Sequence, residues 1–266
     1  MLMVEPVQRA MAWLMNRVRV NQVEEGLRDG APVFVKRRRA GAPIIVWFAN
    51  RFLALADSGG RMFVRAHEWI AWEIHCARLL YPGRPDVTVG AGRAVIVPKA
   101  CGISLRALVR RNDGDPTTAF ILAAREVRRV HQIQCRYFNG TWSHGDLHLD
   151  NIICDSTAQR AVLIDFDTRH EPRNSATQRH GDDLKVLLLE LIGGSSDAWR
   201  PLATAFIAEY REHSVLRELD RQLSVPRGFG RLLWYARTQS ASTRRMEPRL
   251  QALREIIHHA IRREDS

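Results

Sequence analysis

One stretch of the sequence, Thr141 to Asp167 (TWSHGDLHLDNIICDSTAQRAVLIDFD), constrains the fold more than any other. Asp146 and Asn151 are five positions apart in a polar loop, and two apolar runs separated by turn residues follow them. Short apolar runs on either side of a turn predict a β-hairpin, and Asp165 stands at its exit. The stretch therefore predicts a loop and a hairpin that together present three polar side chains.

Phosphoryl transfer is the chemistry that uses such a set. One carboxylate orients the attacking hydroxyl and takes its proton, while an amide oxygen and a second carboxylate hold Mg²⁺ against the phosphates of ATP. We assign the role of catalytic base to Asp146. Asn151 and Asp165 are the predicted magnesium ligands, because Mg²⁺ prefers hard oxygen donors. The simpler alternative is an ordinary turn between apolar runs, which would not require this order and spacing.

The same residues carry a resemblance to kinases. His144 to Asn151 (HGDLHLDN) resembles the H-R-D-L-x-x-x-N motif, and Asp165-Phe166-Asp167 resembles D-F-G. Gly145 in place of Arg resembles the small-molecule branch, which includes aminoglycoside and choline phosphotransferases. Ile164 to Asp167 (IDFD) is similar to the bacterial lipopolysaccharide-core kinases, which phosphorylate 3-deoxy-D-manno-octulosonic acid (Kdo) or heptose.

The resemblance implies an α+β, two-lobed protein-kinase-like fold. Residues 1–101 would form an N-lobe with a small antiparallel sheet and a glutamate-bearing helix that bind the nucleotide. Residues 102–266 would form a mainly helical C-lobe with the catalytic loop and the acceptor-binding helices. ATP and Mg²⁺ are the cofactors that it implies.

The N-terminal part contains a candidate nucleotide lysine. Val23 to Lys36 predicts two strands joined through Asp29-Gly30, a turn dipeptide. Lys36 ends the second strand, where a kinase places the lysine that contacts the α- and β-phosphates. A solvated basic run from Lys36 to Arg39 is the alternative interpretation. No G-x-G-x-x-G sequence precedes the strand, so the sequence does not identify the element that covers the phosphates.

A helix predicted from Arg61 to Tyr81 takes the place of the helix whose glutamate pairs with that lysine. Glu68 and Glu73 are the two candidates. We assign the cofactor-binding role to Glu68, because His67-Glu68-Trp69 resembles the Glu-Trp pair of the lipopolysaccharide-core kinases. Either glutamate would otherwise be an exposed acid on a helix surface.

Two further predictions concern the chain after Asp167. Five basic residues lie where a kinase-like fold places acceptor-binding loops, and arginine suits carboxylate or phosphate groups; a solvated loop is the alternative. Gly181-Asp182-Asp183 predicts a helix N-cap, and the resemblance also implies that Asp183 braces the catalytic loop. The five basic residues are Arg169, His170, Arg173, Arg179 and His180.

The charge balance limits the class of partner. The chain has 40 Lys and Arg against 29 Asp and Glu, a formal net charge of +11. Such a surface attracts nucleic acid, anionic lipid headgroups or an acidic substrate. Arginines near Trp234 and Tyr235 could stack bases, but no RNA-binding motif accompanies them, so nucleic acid is not expected. We expect an anionic glycolipid or sugar acceptor, with peripheral contact to an anionic membrane.

The sequence favours a cytoplasmic location, with peripheral association at the inner membrane as an extension. No apolar run approaches the about 20 residues needed to cross a bilayer, and no secretory signal is visible. The basic amphipathic pattern of Met11 to Val20 would suit a membrane surface, although packing against its own domain is the favoured interpretation. Widely spaced cysteines predict free thiols. They are Cys76, Cys101, Cys135 and Cys154.

The leading hypothesis is therefore an ATP-dependent kinase that transfers the γ-phosphate to a sugar hydroxyl of the lipopolysaccharide inner core, on Kdo or heptose. The first alternative is a phosphotransferase acting on an aminoglycoside-like or choline-like small molecule, or on Ser/Thr of a protein. The second alternative is a nucleotide-binding scaffold without catalysis. Retention of Lys36, Asp146, Asn151 and Asp165 argues against the scaffold.

Overall fold

A computed structural model describes residues 20–56, 58–84, 86–111, 115–194, 197–226, 230–238 and 241–262. The helix predicted over Met11 to Val20 lies outside these residues, except for Val20 itself. Val20 packs with Ala42 and Val46 in a small apolar cluster separate from the main core.

A four-stranded antiparallel sheet forms from the first part of the chain, in the order β1-β2-β5-β4. The sequence predicted the first of its two hairpins. Asp29 and Gly30 turn the first one with φ of 52° and 76°, the positive values that a tight hairpin turn requires. The strands are β1 (Asn21–Arg28), β2 (Ala31–Arg38), β4 (Thr88–Gly90) and β5 (Ala94–Pro98).

Two helices and a short strand lie between β2 and β4. They are α1 (Ala42–Leu55), β3 (Gly60–Met62) and α2 (Ala66–Leu80). The prediction of one helix from Arg61 to Tyr81 is wrong at its start, because β3 pairs with β11 (Thr168–His170), a partner distant in sequence. Helix α1 begins at Ala42, with Pro43 in its first turn, where the missing N–H costs nothing.

Helices dominate the second part of the chain, and short strands flank the loop that contains Asp146 and Asn151. The predicted hairpin after Asn151 is confirmed: β9 and β10 pair antiparallel, and β6 adds to β9. The elements are β6 (Ile103–Ser104), α3 (Leu105–Arg111), α4 (Thr117–His131), β7 (Gln134–Cys135), β8 (Gly140–Thr141), β9 (Ile152–Asp155), β10 (Arg160–Leu163), β11, α5 (Ala176–Gly193), α6 (Trp199–Tyr210), α7 (His213–Gln222), α8 (Gly230–Arg237) and α9 (Thr243–Arg262).

The chain is an α+β protein, about 55% helical, with small antiparallel sheets. One continuous apolar core runs from the four-stranded sheet and α2 into the helices of the second part, and Trp69, Trp142 and Tyr210 are fully buried in it. Among the described residues, no helix is both long and apolar enough to span a membrane. The four cysteines are free, as predicted.

Helix α5 begins at a residue that the sequence analysis did not select. Ser175 is the N-cap, and its side chain and that of Gln178 form a reciprocal capping box. The predicted cap at Asp182 and Asp183 is wrong, because both residues lie inside the helix and are buried. Their carboxylates are therefore directed at other parts of the molecule.

Candidate active site

Lys36 lies at the centre of a buried ion-pair cluster. Its Nζ is 2.8 Å from Glu73 Oε1 and 2.7 Å from Asp165 Oδ1. Burial lowers the pKa of Lys36, but the charges of Asp165 and Glu73 outweigh it and raise the pKa well above the usual value. Strand β2 thus delivers a permanently charged ammonium group to the carboxylate at the exit of the β9–β10 hairpin.

The assignment of Glu68 as the partner of Lys36 is wrong. Glu68 is at the surface, 3.7 Å from Arg65, whereas Glu73 is 2% exposed on the core face of α2. The reason is the helical repeat: Glu73 follows Trp69 by four residues, which puts both side chains on one face. The alternative that the sequence analysis left open, Glu73, is the one that the geometry selects.

Glu73 also holds the chain just after Asp165. Its Oε2 accepts a hydrogen bond from the Phe166 N–H at 3.1 Å. The Phe166 ring packs against the rings of Trp142 and His144, with centroids 5.8 and 5.5 Å away. Asp165 has a φ of 69°, which is unusual for a residue other than glycine and typical of functional sites. This backbone conformation turns the Asp165 carboxylate toward Lys36.

Asp183 braces the catalytic loop, as the resemblance implied. Its two carboxylate oxygens accept hydrogen bonds from the N–H groups of His144 and Gly145, both at 2.8 Å. His131 contacts the same carboxylate at 3.2 Å. Burial would raise the pKa of Asp183, but nearby His170 and the hydrogen bond with His131 lower it to about 2. The carboxylate stays ionised and fixes the loop backbone.

Gly145 is required by this geometry. It has a φ of 88°, and a Cβ at this position would lie 2.9 Å from the backbone of Arg169. No arginine fits here without a shift of the β11 strand. Glycine at position 145 thus has a local steric cause.

Asp146 faces a cavity of about 640 Å³ that Asp165 and Asp167 also line. His148 Nε2 lies 2.9 Å from the Asp146 carboxylate. Burial raises the pKa of Asp146, but the charge and hydrogen bond of His148 outweigh it, so the pKa lies below the ordinary value. Asn151 is directed at the same loop, and its Nδ2 donates to the Asp146 carbonyl at 2.9 Å. The loop therefore holds an ionised carboxylate in a cavity that two other carboxylates also line.

The carboxylates suit a divalent cation. The oxygens of Glu73, Asp165 and Asp167 lie within 4.8 Å of one another. Asp167 Oδ2 accepts a hydrogen bond from Asn21, while Asp167 Oδ1 is buried without a partner among the described residues. Burial and the charge of Asp165 raise the pKa of Asp167 to about 8. A buried acceptor without a donor, in a set of hard oxygens, fits Mg²⁺.

The structure adds a candidate to the predicted magnesium ligands Asn151 and Asp165. Asp167, whose role the sequence left undecided, is the additional candidate ligand. Glu73 is engaged by Lys36 and by the Phe166 N–H, so it positions the other groups rather than offering a free carboxylate.

The basic residues after Asp167 mostly serve the interior. Arg179 is 2% exposed and donates to Ser143 Oγ and to the Thr141 and Asn174 carbonyls. His170 and His180 are buried, and the Arg169 guanidinium stacks 4.2 Å from the Tyr137 ring. The prediction that they hold an acceptor is therefore wrong for His170, Arg179 and His180, because these residues support the catalytic loop from behind.

The aromatic residues considered for base stacking are unavailable. Trp234 and Tyr235 are 3% and 0% exposed in α8. Rings buried in this way cannot stack on nucleotide bases.

Three residues at the site were missed by sequence reasoning. Glu190 accepts a hydrogen bond from the Leu149 N–H at 2.6 Å and pairs with Arg106. Arg237 lines the same cavity as Asp146 and lies 3.5 Å from Asp182. His148 lies 2.9 Å from the Asp146 carboxylate, and the sequence identifies it only as part of a motif. The signal for Glu190 was available: it is a lone acid inside the apolar run 186–192 of α5.

No protein-family model matches this sequence, and a search of curated proteins found no match either.

Proposed function

We propose that this protein is an ATP- and Mg²⁺-dependent phosphotransferase with an alcohol acceptor, on a two-lobed, protein-kinase-like fold. The observation that carries the proposal is the convergence of Lys36, Glu73, Asp165 and Asp146. Lys36 pairs with both Glu73 and Asp165, and Asp165 lines one cavity with Asp146. These side chains come from β2, α2, the hairpin exit and the catalytic loop, so their convergence depends on the whole fold.

The arrangement of the elements supports the fold assignment. A four-stranded antiparallel sheet carries the lysine, and α2, which follows α1 and β3, carries its glutamate. The chain then passes through 98–103 into the helical part. The catalytic loop and the hairpin that ends at Asp165 follow in the order that phosphoryl transfer by kinases uses. The lobe boundary near residue 101 is part of the proposal.

Each residue has a stated task. Lys36, held by Glu73, binds phosphate oxygens of the nucleotide. Asp165, Asp167 and Asn151 would hold Mg²⁺, which neutralises charge on the phosphates when it is bound. Asp146 orients the acceptor hydroxyl and takes its proton, and its low pKa keeps it ionised for that role. His148 fixes the orientation of the Asp146 carboxylate.

The proposed acceptor is an anionic sugar hydroxyl, of the kind found in the lipopolysaccharide inner core. The net charge of +11 favours an acidic acceptor. Arg237, which is 8% exposed and lines the cavity beside Asp146, would repel a cationic acceptor and attract a carboxylate or phosphate. This observation weighs against aminoglycoside-like and choline-like substrates.

The test measures transfer of labelled γ-phosphate from ATP to deacylated core oligosaccharide, with Mg²⁺-dependent nucleotide binding measured in parallel. Asp146→Asn should retain nucleotide binding and lose about 10²-fold or more in kcat. Asp150→Asn is the matched control, because Asp150 lies in the same loop and pairs with Arg106 instead of facing the cavity. Its turnover should stay close to wild type.

The outcomes separate the alternatives. Equal turnover in Asp146→Asn would overturn the assignment of the base. Nucleotide binding without transfer to a sugar, a small amine or a protein would favour a scaffold. Transfer to kanamycin or choline but not to core sugar would keep the phosphotransferase and replace the acceptor.

A further inference from the structure

Helix α1 has an apolar outer face that its own fold leaves exposed. Ile44, Trp47, Phe48 and Leu55 are 67%, 48%, 63% and 64% exposed. Their spacing of three, four and seven residues places them along one side of the helix. Isolated exposed apolar residues are ordinary, but a contiguous stripe of large ones marks an interaction surface.

The other two faces of α1 are already in use. Ala42 and Val46 pack on Val20 in the small apolar cluster. Ile45, Ala49, Phe52 and Leu53 line the cavity that contains Asp146 and Asp165. Phe48 belongs to both the cavity wall and the exposed stripe. The apolar wall of the catalytic cavity is therefore continuous, through Phe48, with the outer surface of the helix.

The charge around α1 is of one sign. No acidic residue occurs between Lys36 and Ala56, while the run Arg37 to Arg39 precedes the helix. Arg39 and Arg51 are exposed, and the Arg51 guanidinium lies 5.3 Å from the centre of the Trp47 ring. Tryptophan with adjacent arginine suits the boundary between headgroups and acyl chains, where one part of each side chain is apolar and the other hydrated.

We propose that the outer face of α1 docks on an anionic phospholipid surface, and that the cavity behind it takes an acceptor whose hydrocarbon part remains in that surface. The inference deepens the proposed function by stating where the acceptor comes from. Charge complementarity selects the occupant: a basic, acid-free segment around an apolar stripe matches a negatively charged bilayer better than it matches a second copy of a chain with net charge +11.

The docking geometry has a consequence for catalysis. An acceptor hydroxyl carried on a lipid would lie next to Asp146 while its chain leaves along Phe48 and the stripe. The lipid-bound acceptor would then be presented at a high local concentration, and a free acceptor would not gain from α1. Loss of docking should therefore slow transfer to a vesicle-borne acceptor but leave transfer to a water-soluble one unchanged.

The test is co-sedimentation of the full chain with phosphatidylcholine vesicles that contain or lack phosphatidylglycerol. The variant is Ile44→Ser, Trp47→Ser and Leu55→Ser combined; none of these side chains lines the cavity. Its partition coefficient on anionic vesicles should fall at least about tenfold. Arg39→Gln and Arg51→Gln should each lower it by about fivefold.

The matched control is the double variant Leu27→Ser and Val89→Ser. Both residues are exposed apolar residues of the sheet, 77% and 57% exposed.

Several results would overturn the proposal. One is a wild-type chain that stays in the supernatant with both vesicle types. Another is a triple variant that sediments like wild type, which would move membrane contact to another segment such as Met11 to Val20. A third is a dimer in solution that the triple variant abolishes, without vesicle binding, because the stripe would then cover a second copy.

A second readout separates this inference from the proposed function. The triple variant should retain wild-type transfer to deacylated core oligosaccharide, because its changes leave the cavity intact. Vesicle binding by a chain that transfers no phosphate would keep the docking surface and reject the kinase. Phosphate transfer without vesicle binding would keep the kinase and reject the docking surface.

Discussion

The two sides of the cavity differ in which polar groups the protein satisfies: the backbone N–H groups of the loop are paired, whereas side-chain oxygens on the sheet side are not. One side-chain atom of the loop, His148 Nδ1, also lacks a hydrogen bond and lies 3.5 Å from Glu190 Oε2. On the loop side, the N–H groups of His144, Gly145 and Leu149 all end on buried carboxylates from α5. On the sheet side, Asn21 Oδ1 and Asp167 Oδ1 are buried without partners in the described chain. Buried polar groups are normally paired, so this contrast carries information.

The difference separates a preorganised part from a part built for a ligand. The loop that contains Asp146 is fixed by internal hydrogen bonds, and its geometry is an intrinsic property of the fold. Burial and, after it, the charge of Asp165 raise the pKa of Asp167, and a bound cation would offset both effects. Substitutions on the loop side should therefore lower the free energy of unfolding most. Substitutions on the sheet side should most change how that free energy responds to Mg²⁺.

The largest expected effect is the removal of the loop brace. Asp183→Ala leaves the His144 and Gly145 N–H groups buried and unpaired, and should cost about 3–5 kcal/mol in the free energy of unfolding. Urea unfolding at pH 7 measures it. Asp150→Ala, which breaks an exposed ion pair with Arg106, should cost less than about 1 kcal/mol.

The pH dependence gives an independent check of the same brace. The pKa of Asp183 is depressed to about 2, so its contribution to stability is present above its ordinary pKa and is lost as the pH falls through about 2. Asp183→Asn keeps one acceptor oxygen and should lose less than Asp183→Ala. Equal stability of Asp183→Ala and wild type would place the brace elsewhere.

The next largest expected effect is steric strain at Gly145. Gly145→Ala puts a Cβ 2.9 Å from the Arg169 backbone at a φ of 88°, and should cost about 3 kcal/mol from strain and overpacking together. Gly30→Ala is the matched control, because Gly30 also has positive φ (76°) but nothing within 4 Å. It should cost about 1 kcal/mol. Thermal or urea unfolding that gives equal losses would show that the contact with Arg169 relaxes freely.

How far the sequence could predict this site depends on the range of the interaction that decides each residue. Asp146, Asn151 and Asp165 lie within one segment, and local spacing was enough to assign them to a loop and a hairpin exit. The hairpin turn at Asp29-Gly30 was equally local. The strand β3 was missed because its partner β11 is far away in sequence, and no local pattern encodes that pairing.

The choice between Glu68 and Glu73 shows a different failure. A resemblance of three residues outweighed the helical repeat, although Glu73 shares a face with Trp69 and Cys76, both fully buried. The N-cap at Asp183 failed for a similar reason: a local preference was applied to a residue whose partners, His144 and Gly145, are distant. A polar residue on an apolar helix face is the better signal of a buried role.

Replacing the glutamate that pairs with Lys36 should weaken nucleotide binding. Glu73→Gln removes a charged partner of Lys36 and should weaken Mg²⁺-ATP binding by about tenfold, equivalent to about 1.4 kcal/mol. Glu68→Gln, which removes only a surface contact with Arg65, should leave the Kd unchanged. Calorimetric titration with a non-hydrolysable ATP analogue measures both. The reverse order of effects would restore the original assignment.

The effect most specific to the sheet side is the pH dependence of stability that Asp167 causes. The pKa of Asp167 is about 8, above its ordinary value of 3.8, so the folded state binds more protons than the unfolded state between these values. Wild-type stability should therefore fall as the pH rises through this range, and Asp167→Asn should remove that loss. We expect the variant to gain at least about 1 kcal/mol on wild type as the pH rises from 5 to 8 in a chelator.

Added Mg²⁺ should reverse the order of stability of wild type and Asp167→Asn. At pH 8 an ionised Asp167 beside Asp165 binds the cation, and binding to the folded state alone raises the free energy of unfolding. Added Mg²⁺ should therefore stabilise wild type more than Asp167→Asn in urea unfolding. Asp155→Asn is the control, since Asp155 caps a turn in the β9–β10 hairpin and should respond like wild type. Equal stabilisation of wild type and Asp167→Asn by Mg²⁺ would leave Asp165 and Asn151 as the only metal ligands, and the unpaired oxygen of Asp167 would then belong to a protonated carboxyl group.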